Sequence, residues 1–335
     1  MLEVGVFGAT GYAGHELLVW LNNHPGVRVA FAASNSHART QLKDLYPAGP
    51  DVVLSDPAEV SMDGIQAVFL AVPHTTSAPL VHAALQAGAR VIDLSADFRL
   101  HDAGSFSQWY GQPHGAPELL AEAVYGLTET CRPALPAARL VANPGCYPTG
   151  ALLPLYPLVV QGALAAGPVV IDAKSGVSGA GRTPQPSTHY VEVADNLTPY
   201  MVGNRHRHLP EMVQALFEWQ APSSSVVFVP QIIPAPRGIL SNIYVQVKPG
   251  WDETRLRAAM AQVYSSEPFI EILGAGHVPS LAHALHTNRC VIGINLVGET
   301  AILTSAIDNL VKGAAGQAIQ NFNLMFGLEE SLGLV

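Results

Sequence analysis

Short apolar runs rich in β-branched residues alternate with stretches of helical spacing from the first residues of the chain. Leu2 to Phe7 reads as a strand, Gly8 to Gly14 as a glycine-rich turn, and Ala13 to Leu21 as a helix that stops near Asn22, Asn23 and Pro25. Further strands are expected at Val27 to Ala33, Ala67 to Val72, Arg90 to Leu94 and Arg139 to Ala142, with a helix over Ser77 to Gln86 ending at Gly88. Such alternation builds a parallel sheet with helices on both faces.

The rhythm changes after Gly150. Ser225 to Pro234 and Leu240 to Lys248 are long extended runs, and Ala235-Pro236-Arg237-Gly238 reads as a turn joining neighbouring strands. Arg289 to Val297 and Thr300 to Ile307, linked by Gly298-Glu299, read as a hairpin, and Asn309 to Phe326 has helical spacing. The expected architecture is α/β: a Rossmann-type doubly wound parallel sheet plus an α+β domain with a largely antiparallel or mixed sheet. The expected division puts residues 1–147 with 309–335 in the first domain and 148–308 in the second.

Composition narrows the function. Of 335 residues, 49% are hydrophobic and 13% charged, against roughly 25% charged in a typical soluble domain. The net charge is −9 and no Lys/Arg-rich run occurs, so no electrostatic footprint for nucleic acid is present. The most apolar stretch, Ala151 to Ile171, is broken by Pro154, Pro157, Gly162, Gly167 and Pro168, so no membrane span is expected. The N-terminal segment lacks a basic region, which points to a cytoplasmic protein without a cleavable signal. Three cysteines, Cys131, Cys146 and Cys290, without metal-ligand spacing, leave thiol chemistry rather than disulfides or a metal site. So little charge for covering the outside also points to a homo-oligomer, a dimer or tetramer, through the strands after Gly150.

Gly8-Ala-Thr10-Gly11-Tyr12-Ala13-Gly14 lies between a strand and a helix, where glycines admit a pyrophosphate and the helix end offers free N–H groups. Its spacing is GxxGxxG rather than the commoner GxGxxG. The second strand is followed by Ser34-Asn35-Ser36-His37-Ala38-Arg39, with no carboxylate for a ribose 2′-hydroxyl. Ser34 and Ser36 suit a 2′-phosphate that Arg39 neutralises, which favours NADP(H) over NAD(H).

Cys146 lies in Asn143-Pro144-Gly145-Cys146-Tyr147-Pro148-Thr149, ahead of a helix expected to begin near Thr149. A thiol there has its thiolate stabilised by the helix dipole, as a nucleophile requires. A partner base is offered by Asn204-Arg205-His206-Arg207-His208-Leu209-Pro210-Glu211, whose two imidazoles share one side if the segment is extended. Lys174, Ser175 and Arg182, in a glycine-rich loop that includes Ser178 and Gly179, suit an anionic substrate. Of the 17 basic residues, 13 are Arg, the type fitted to phosphate and carboxylate, and several fall in these loops.

Taken in order, GATGYAG, the segment Ala71-Val72-Pro73-His74, VIDLSADFRL, VYGLTE, NPGCYPT, KSGVSGAGR, HRHLPE and DNLVKGAAGQAIQN resemble the N-acetyl-γ-glutamyl-phosphate reductase family. This is the arginine-biosynthesis branch of the semialdehyde dehydrogenase superfamily. The resemblance implies that Cys146 attacks a small-molecule acyl phosphate to form a thioester, which NADPH reduces to the aldehyde. It also implies His208 as acid/base, with the order of the two histidines left open by the sequence, and His206, Arg207 and Arg205 as substrate contacts. Pro73, His74, Ser178, Gly179 and Asn309 join the cofactor set, with the final helix returning to the first domain. Rival readings are an aspartate-semialdehyde dehydrogenase-like enzyme, a carrier-linked aminoadipyl-phosphate reductase and a non-catalytic dinucleotide sensor.

Overall fold

The computed structural model describes all 335 residues except the side chains of Ser223 and Ser224. It divides into two compact units, Met1–Pro144 with Ala314–Val335, and Gly145–Gly313. The first unit contains β1 (Leu2–Phe7), α1 (Tyr12–Asn22), β2 (Val27–Ala33), β3 (Ala67–Leu70), α2 (Ala78–Gln86), β4 (Arg90–Asp93), α3 (Ala103–Tyr110), β5 (Val124–Tyr125), α4 (Thr128–Cys131) and β6 (Leu140–Ala142). The second contains α5 (Cys146–Val160), β7 (Gly167–Ser175), α6 (Tyr190–Val193), β8 (Thr198–Pro199), α7 (Leu209–Glu218), β9 (Ser223–Ile232), β10 (Ile239–Gln246), α8 (Glu253–Tyr264), β11 (Ile270–Ile272), β12 (Cys290–Val297) and β13 (Thr300–Ile307). The chain then re-enters the first unit with α9 (Gly316–Met325).

In the first unit the six strands run parallel in the order β2-β1-β3-β4-β6-β5. Val4, Val6, Val68, Leu70 and Val91 are fully buried, which is why these strands read as unbroken apolar runs. The order reverses between β1 and β3. A doubly wound sheet binds ligands at this switch point, beyond the carboxyl ends of its strands.

The second unit is a mixed sheet, β11-β12-β13-β10-β7-β9-β8. The β12–β13 hairpin forms as the sequence predicts. The join between β9 and β10 does not: these strands are not neighbours, because β7 lies between them, parallel to β9 and antiparallel to β10. Residues 235–238 instead cross the end of β7, where Val177 N–H donates to Ala235 O (2.9 Å) and Ser178 N–H to Pro236 O (3.0 Å). Gly176 is required at this crossing, since a Cβ would stand 2.6 Å from the Arg237 nitrogen.

Helix α5 is apolar on nearly all sides and packs among α7, α8 and strands β10 and β13. On β7, Val169, Ile171, Ala173 and Ser175 turn to the buried face, while Val170, Asp172 and Lys174 alternate onto a half-exposed one. Among the described residues, no helix is long and apolar enough to cross a membrane. The unit boundaries differ from the expected ones: Gly145 to Tyr147 and Asn309 to Gly313 belong to the second unit. Tyr147 lies in the first turn of α5, the helix that packs on the second sheet, and Asn309 bonds to Gly238 and Ser178 there.

Candidate active site

Helix α5 begins at Cys146 itself, three residues before the expected start, with Gly145 extended at its cap (φ −66, ψ 150) and no capping side chain. Pro148 is tolerated because first-turn N–H groups have no intrahelical acceptor, so its missing hydrogen costs nothing there. Thr149 closes the turn, its N–H and its hydroxyl each donating to Gly145 O at 3.0 Å. The half-buried Cys146 sulfur thus starts from the positive end of a 15-residue helix.

His208 approaches from α7. Its ring lies over Gly145, so that a Cβ on Gly145 would stand 2.6 Å from His208 Nε2. Only glycine allows this approach. Gly313 gives room on the other side, where a Cβ would stand 2.7 Å from that of Cys146. Glu211, buried in the first turn of α7, accepts from Gly145 N–H at 3.0 Å through Oε2, and its Oε1 lies 4.0 Å from His208 Nε2. One carboxylate therefore holds the peptide before the cysteine and faces the imidazole.

Residues 201–208 form successive turns rather than the extended piece the sequence suggested. The two histidines still meet, their ring centroids 4.8 Å apart, and both stand edge-on to Tyr147. Burial, reinforced by the neighbouring Arg207 charge, lowers the His206 pKa to about 4. Burial also raises Tyr200 to about 12 and pushes Tyr147 up.

The expected anion-binding residues divide. Arg205 and Arg207 are exposed beside the histidines, and Arg182 is half-buried in the loop after β7. Lys174 is not in a loop: it lies in β7, paired with Asp172 on the face opposite Ser175, because strand side chains alternate. Ser175, Ser178, Gly179 and Asn309 come together: Asn309 donates to Ser178 Oγ (3.0 Å) and accepts from Gly238 N–H (2.6 Å), and a Cβ on Gly179 would stand 2.8 Å from Ser175 Oγ.

In the first unit the glycine turn has the form a dinucleotide needs. Gly8 has φ +77, and a Cβ there would stand 2.2 Å from Ala71 O; one on Gly14 would stand 2.2 Å from Gly8 O. Above Gly11 the space is open, a Cβ meeting Gly8 O only at 3.6 Å. Gly11 caps α1 without a capping side chain, and the first turn, which contains Tyr12 and Ala13, carries no acid, so the helix end suits an anion. Thr10 Oγ1 bonds to Ser34 Oγ (2.9 Å) at the end of β2, and Ser36 Oγ to His37 Nδ1 (2.8 Å). Arg39, in the left-handed region at φ +64, pairs with Glu59 and lies 4.0 Å from Asp56, so a 2′-phosphate meets it in competition with two carboxylates. These residues fit NADP(H).

Beside the turn, residues 73–77 are held by a buried network that sequence reasoning did not single out. Asp97 accepts from Thr75 N–H (2.5 Å) and Ser77 N–H (2.9 Å), fixing Thr75 at φ +71. Ser77 and Ser95 hydroxyls both donate to Asp93, and His74 Nδ1 accepts from Ala96 N–H (3.1 Å). Burial, then the Asp97 charge, raises the Asp93 pKa to about 6. The motif VIDLSADFRL contains Asp93, Ser95 and Asp97, but its spacing gave no sign of the loop they hold. Glu211 was legible in principle, three residues after His208 on one helix face. Tyr200 carried no local signal.

Residues 3–138 match the family described as semialdehyde dehydrogenase, NAD binding domain, and residues 146–309 that described as semialdehyde dehydrogenase, dimerisation domain. The chain is similar over its whole length to proteins named N-acetyl-gamma-glutamyl-phosphate reductase. That of Halorhodospira halophila is 46% identical over 340 residues, and that of Nitrosospira multiformis 44% over 339, each alignment covering 100% of this chain and 98% of the relative. Among solved structures, aspartate semialdehyde dehydrogenase II complexed with ASA from Vibrio cholerae has a TM-score of 0.75 at 19% identity, covering 97% of this chain and 98% of that one. Aspartate semialdehyde dehydrogenase with NADP from Candida albicans has a TM-score of 0.69 at 16% identity, covering 97% and 98%. These two show the shared fold.

Proposed function

Since the chain belongs to the N-acetyl-gamma-glutamyl-phosphate reductase family, we propose that it reduces N-acetyl-γ-glutamyl phosphate to N-acetylglutamate 5-semialdehyde through a thioester on Cys146. The observation that carries this reading is the placement of Cys146 at the first residue of α5 with the His208 ring over its neighbour Gly145.

His208 takes the thiol proton, and the Cys146 sulfur bonds to the acyl carbon. The carbon–oxygen bond to phosphate breaks, and phosphate leaves with its electron pair. The N–H groups of Cys146 and Tyr147, in the first turn of α5, have no intrahelical acceptor and are available to stabilise the oxyanion formed on the way. NADPH, when bound, supplies the hydride that releases the aldehyde and returns the thiolate. Gly8, Gly11 and Gly14 with the α1 terminus would hold its pyrophosphate, and Ser34, Ser36 and Arg39 its 2′-phosphate. Arg205 and Arg207 present the exposed charges that meet the anionic substrate.

The reaction belongs to arginine biosynthesis and takes place in the cytoplasm. The half-exposed sheet face that includes Val170, Val227 and Tyr244 forms the contact with a second copy. An aspartyl substrate is disfavoured because eight relatives at 42–46% identity over essentially the whole chain are named N-acetyl-gamma-glutamyl-phosphate reductase. Steady-state oxidation in the reverse, phosphate-dependent direction tests the assignment. N-acetylglutamate semialdehyde should be turned over with NADP⁺ in strong preference to aspartate semialdehyde. The opposite preference contradicts the proposal.

A further inference from the structure

Two imidazoles share the site, and the hydrogen bonds around them distinguish their roles. His208 N–H donates to His206 Nδ1 at 3.1 Å. On the far side of the ring, His206 Nε2 lies 3.3 Å from the Tyr200 hydroxyl, Tyr200 OH donates to Tyr147 OH at 3.1 Å, and Tyr147 OH donates to Gln231 O at 3.3 Å. Both ends of this chain are backbone groups, whose polarity cannot change.

The direction therefore follows link by link. Gln231 O can only accept, so it takes the single hydroxyl hydrogen of Tyr147. Tyr147 oxygen then accepts from Tyr200, which leaves Tyr200 oxygen to accept from His206 Nε2. At the other end the His208 amide can only donate, so His206 Nδ1 must keep its lone pair. Both nitrogens of His206 are thereby committed.

We infer that Tyr200 and His206 are positioning residues, joined with Tyr147 in a hydrogen-bond chain of fixed direction that holds His206 as the neutral Nε2–H tautomer and leaves proton transfer to His208. The inference rests on the proposed thioester chemistry for its catalytic meaning, whereas the tautomer itself does not. Around the His206 ring stand the rings of Tyr147, Tyr200, Phe228 and His208, with Arg207 the adjacent charge. Protonating Nδ1 would set two N–H groups against each other. The low His206 pKa agrees with this arrangement. The chain also ties the first turn of α5, through Tyr147, to the segment that presents His208.

Imidazole nitrogen NMR on the intact, ¹⁵N-histidine-labelled enzyme tests the tautomer without substrate. His206 should show a protonated Nε2 and a bare Nδ1 at neutral pH; an Nδ1–H form, or titration near the ordinary 6.5, overturns the inference. For the roles, His206→Asn keeps an acceptor for the His208 amide and should lose at most about tenfold in kcat, whereas His208→Asn should lose at least about a hundredfold. Equal losses overturn the assignment. Tyr200→Phe removes the acceptor of the His206 Nε2 hydrogen, so the Nε2 resonance should shift; an unchanged resonance contradicts the chain. Trapping of an acyl group on Cys146 in the parent protein reports separately on the thioester reading.

Discussion

Glu211 and Gly145 are joined by a buried hydrogen bond, the carboxylate Oε2 accepting from the Gly145 amide at 3.0 Å immediately before Cys146, the proposed nucleophile. The same carboxylate faces His208 from 4.0 Å. Removing the acceptor with Glu211→Ala orphans a buried N–H and should cost about 1–3 kcal/mol in denaturant unfolding. Glu211→Gln keeps an acceptor but not the charge, so its stability should stay near the parent while kcat falls about tenfold or more. Equal stabilities for the two variants would show that the bond contributes nothing.

Gly145 itself is fixed by the imidazole above it. Gly145→Ala introduces a methyl 2.6 Å from His208 Nε2, and the ring must move. Overpacking of this kind costs about 1–3 kcal/mol. The displaced base should lower kcat about a hundredfold. A variant with parental kcat would mean that the position of His208 over Gly145 has no part in turnover.

Two buried groups act in opposite senses on stability between pH 4 and pH 6.5. His206 is lowered from 6.5 to about 4, so the unfolded chain takes up its proton first and stability is lost as pH falls through this window. Asp93 is raised from 3.8 to about 6, so stability is lost as pH rises through nearly the same window. Each amounts to about 3 kcal/mol, and they largely offset each other. Asp93→Asn should therefore leave a chain whose stability falls steeply on acidification from pH 6.5 to 4. His206→Asn should show the reverse slope. Urea titrations across this range measure both, and parallel slopes for the two variants would contradict the assignment.

The proposed preference for NADPH turns on Arg39, which pairs with Glu59 on an exposed surface. Arg39→Ala should weaken NADPH binding by about tenfold, the order expected for one charge-assisted contact with a phosphate, and leave NADH binding nearly unchanged. Fluorescence titration of the two cofactors checks this. Equal losses would remove Arg39 from the 2′-phosphate site.

The first unit was legible because the inner strands of a parallel sheet are buried on both faces, as Leu2 to Phe7 is from Val4 onward, while the edge strand Val27 to Ala33 keeps its bounds with exposed Arg28 and Ala30. The second was less so, since pairing is not a local property. Nothing between Ile232 and Ile239 records that β7 lies between β9 and β10. The start of α5 was placed too late because Pro148 resembles a boundary, although a proline is harmless in a first turn. In the candidate site, Cys146 and His208 could be proposed from the sequence because their chemistry is written in their residue type. Tyr200 and Asp97 were missed because their importance comes from distant partners, Tyr147 and the loop at Thr75.

The central claim is a covalent intermediate on Cys146. Mixing the enzyme with N-acetyl-γ-glutamyl phosphate in the absence of NADPH, followed by acid quench and peptide mass spectrometry, measures it directly. The account predicts an N-acetylglutamyl adduct on the Cys146 peptide with release of one phosphate per adduct, and none on a Cys146→Ala variant, which should also lack turnover. A Cys146→Ala variant that reduces the acyl phosphate at the parental rate would contradict it.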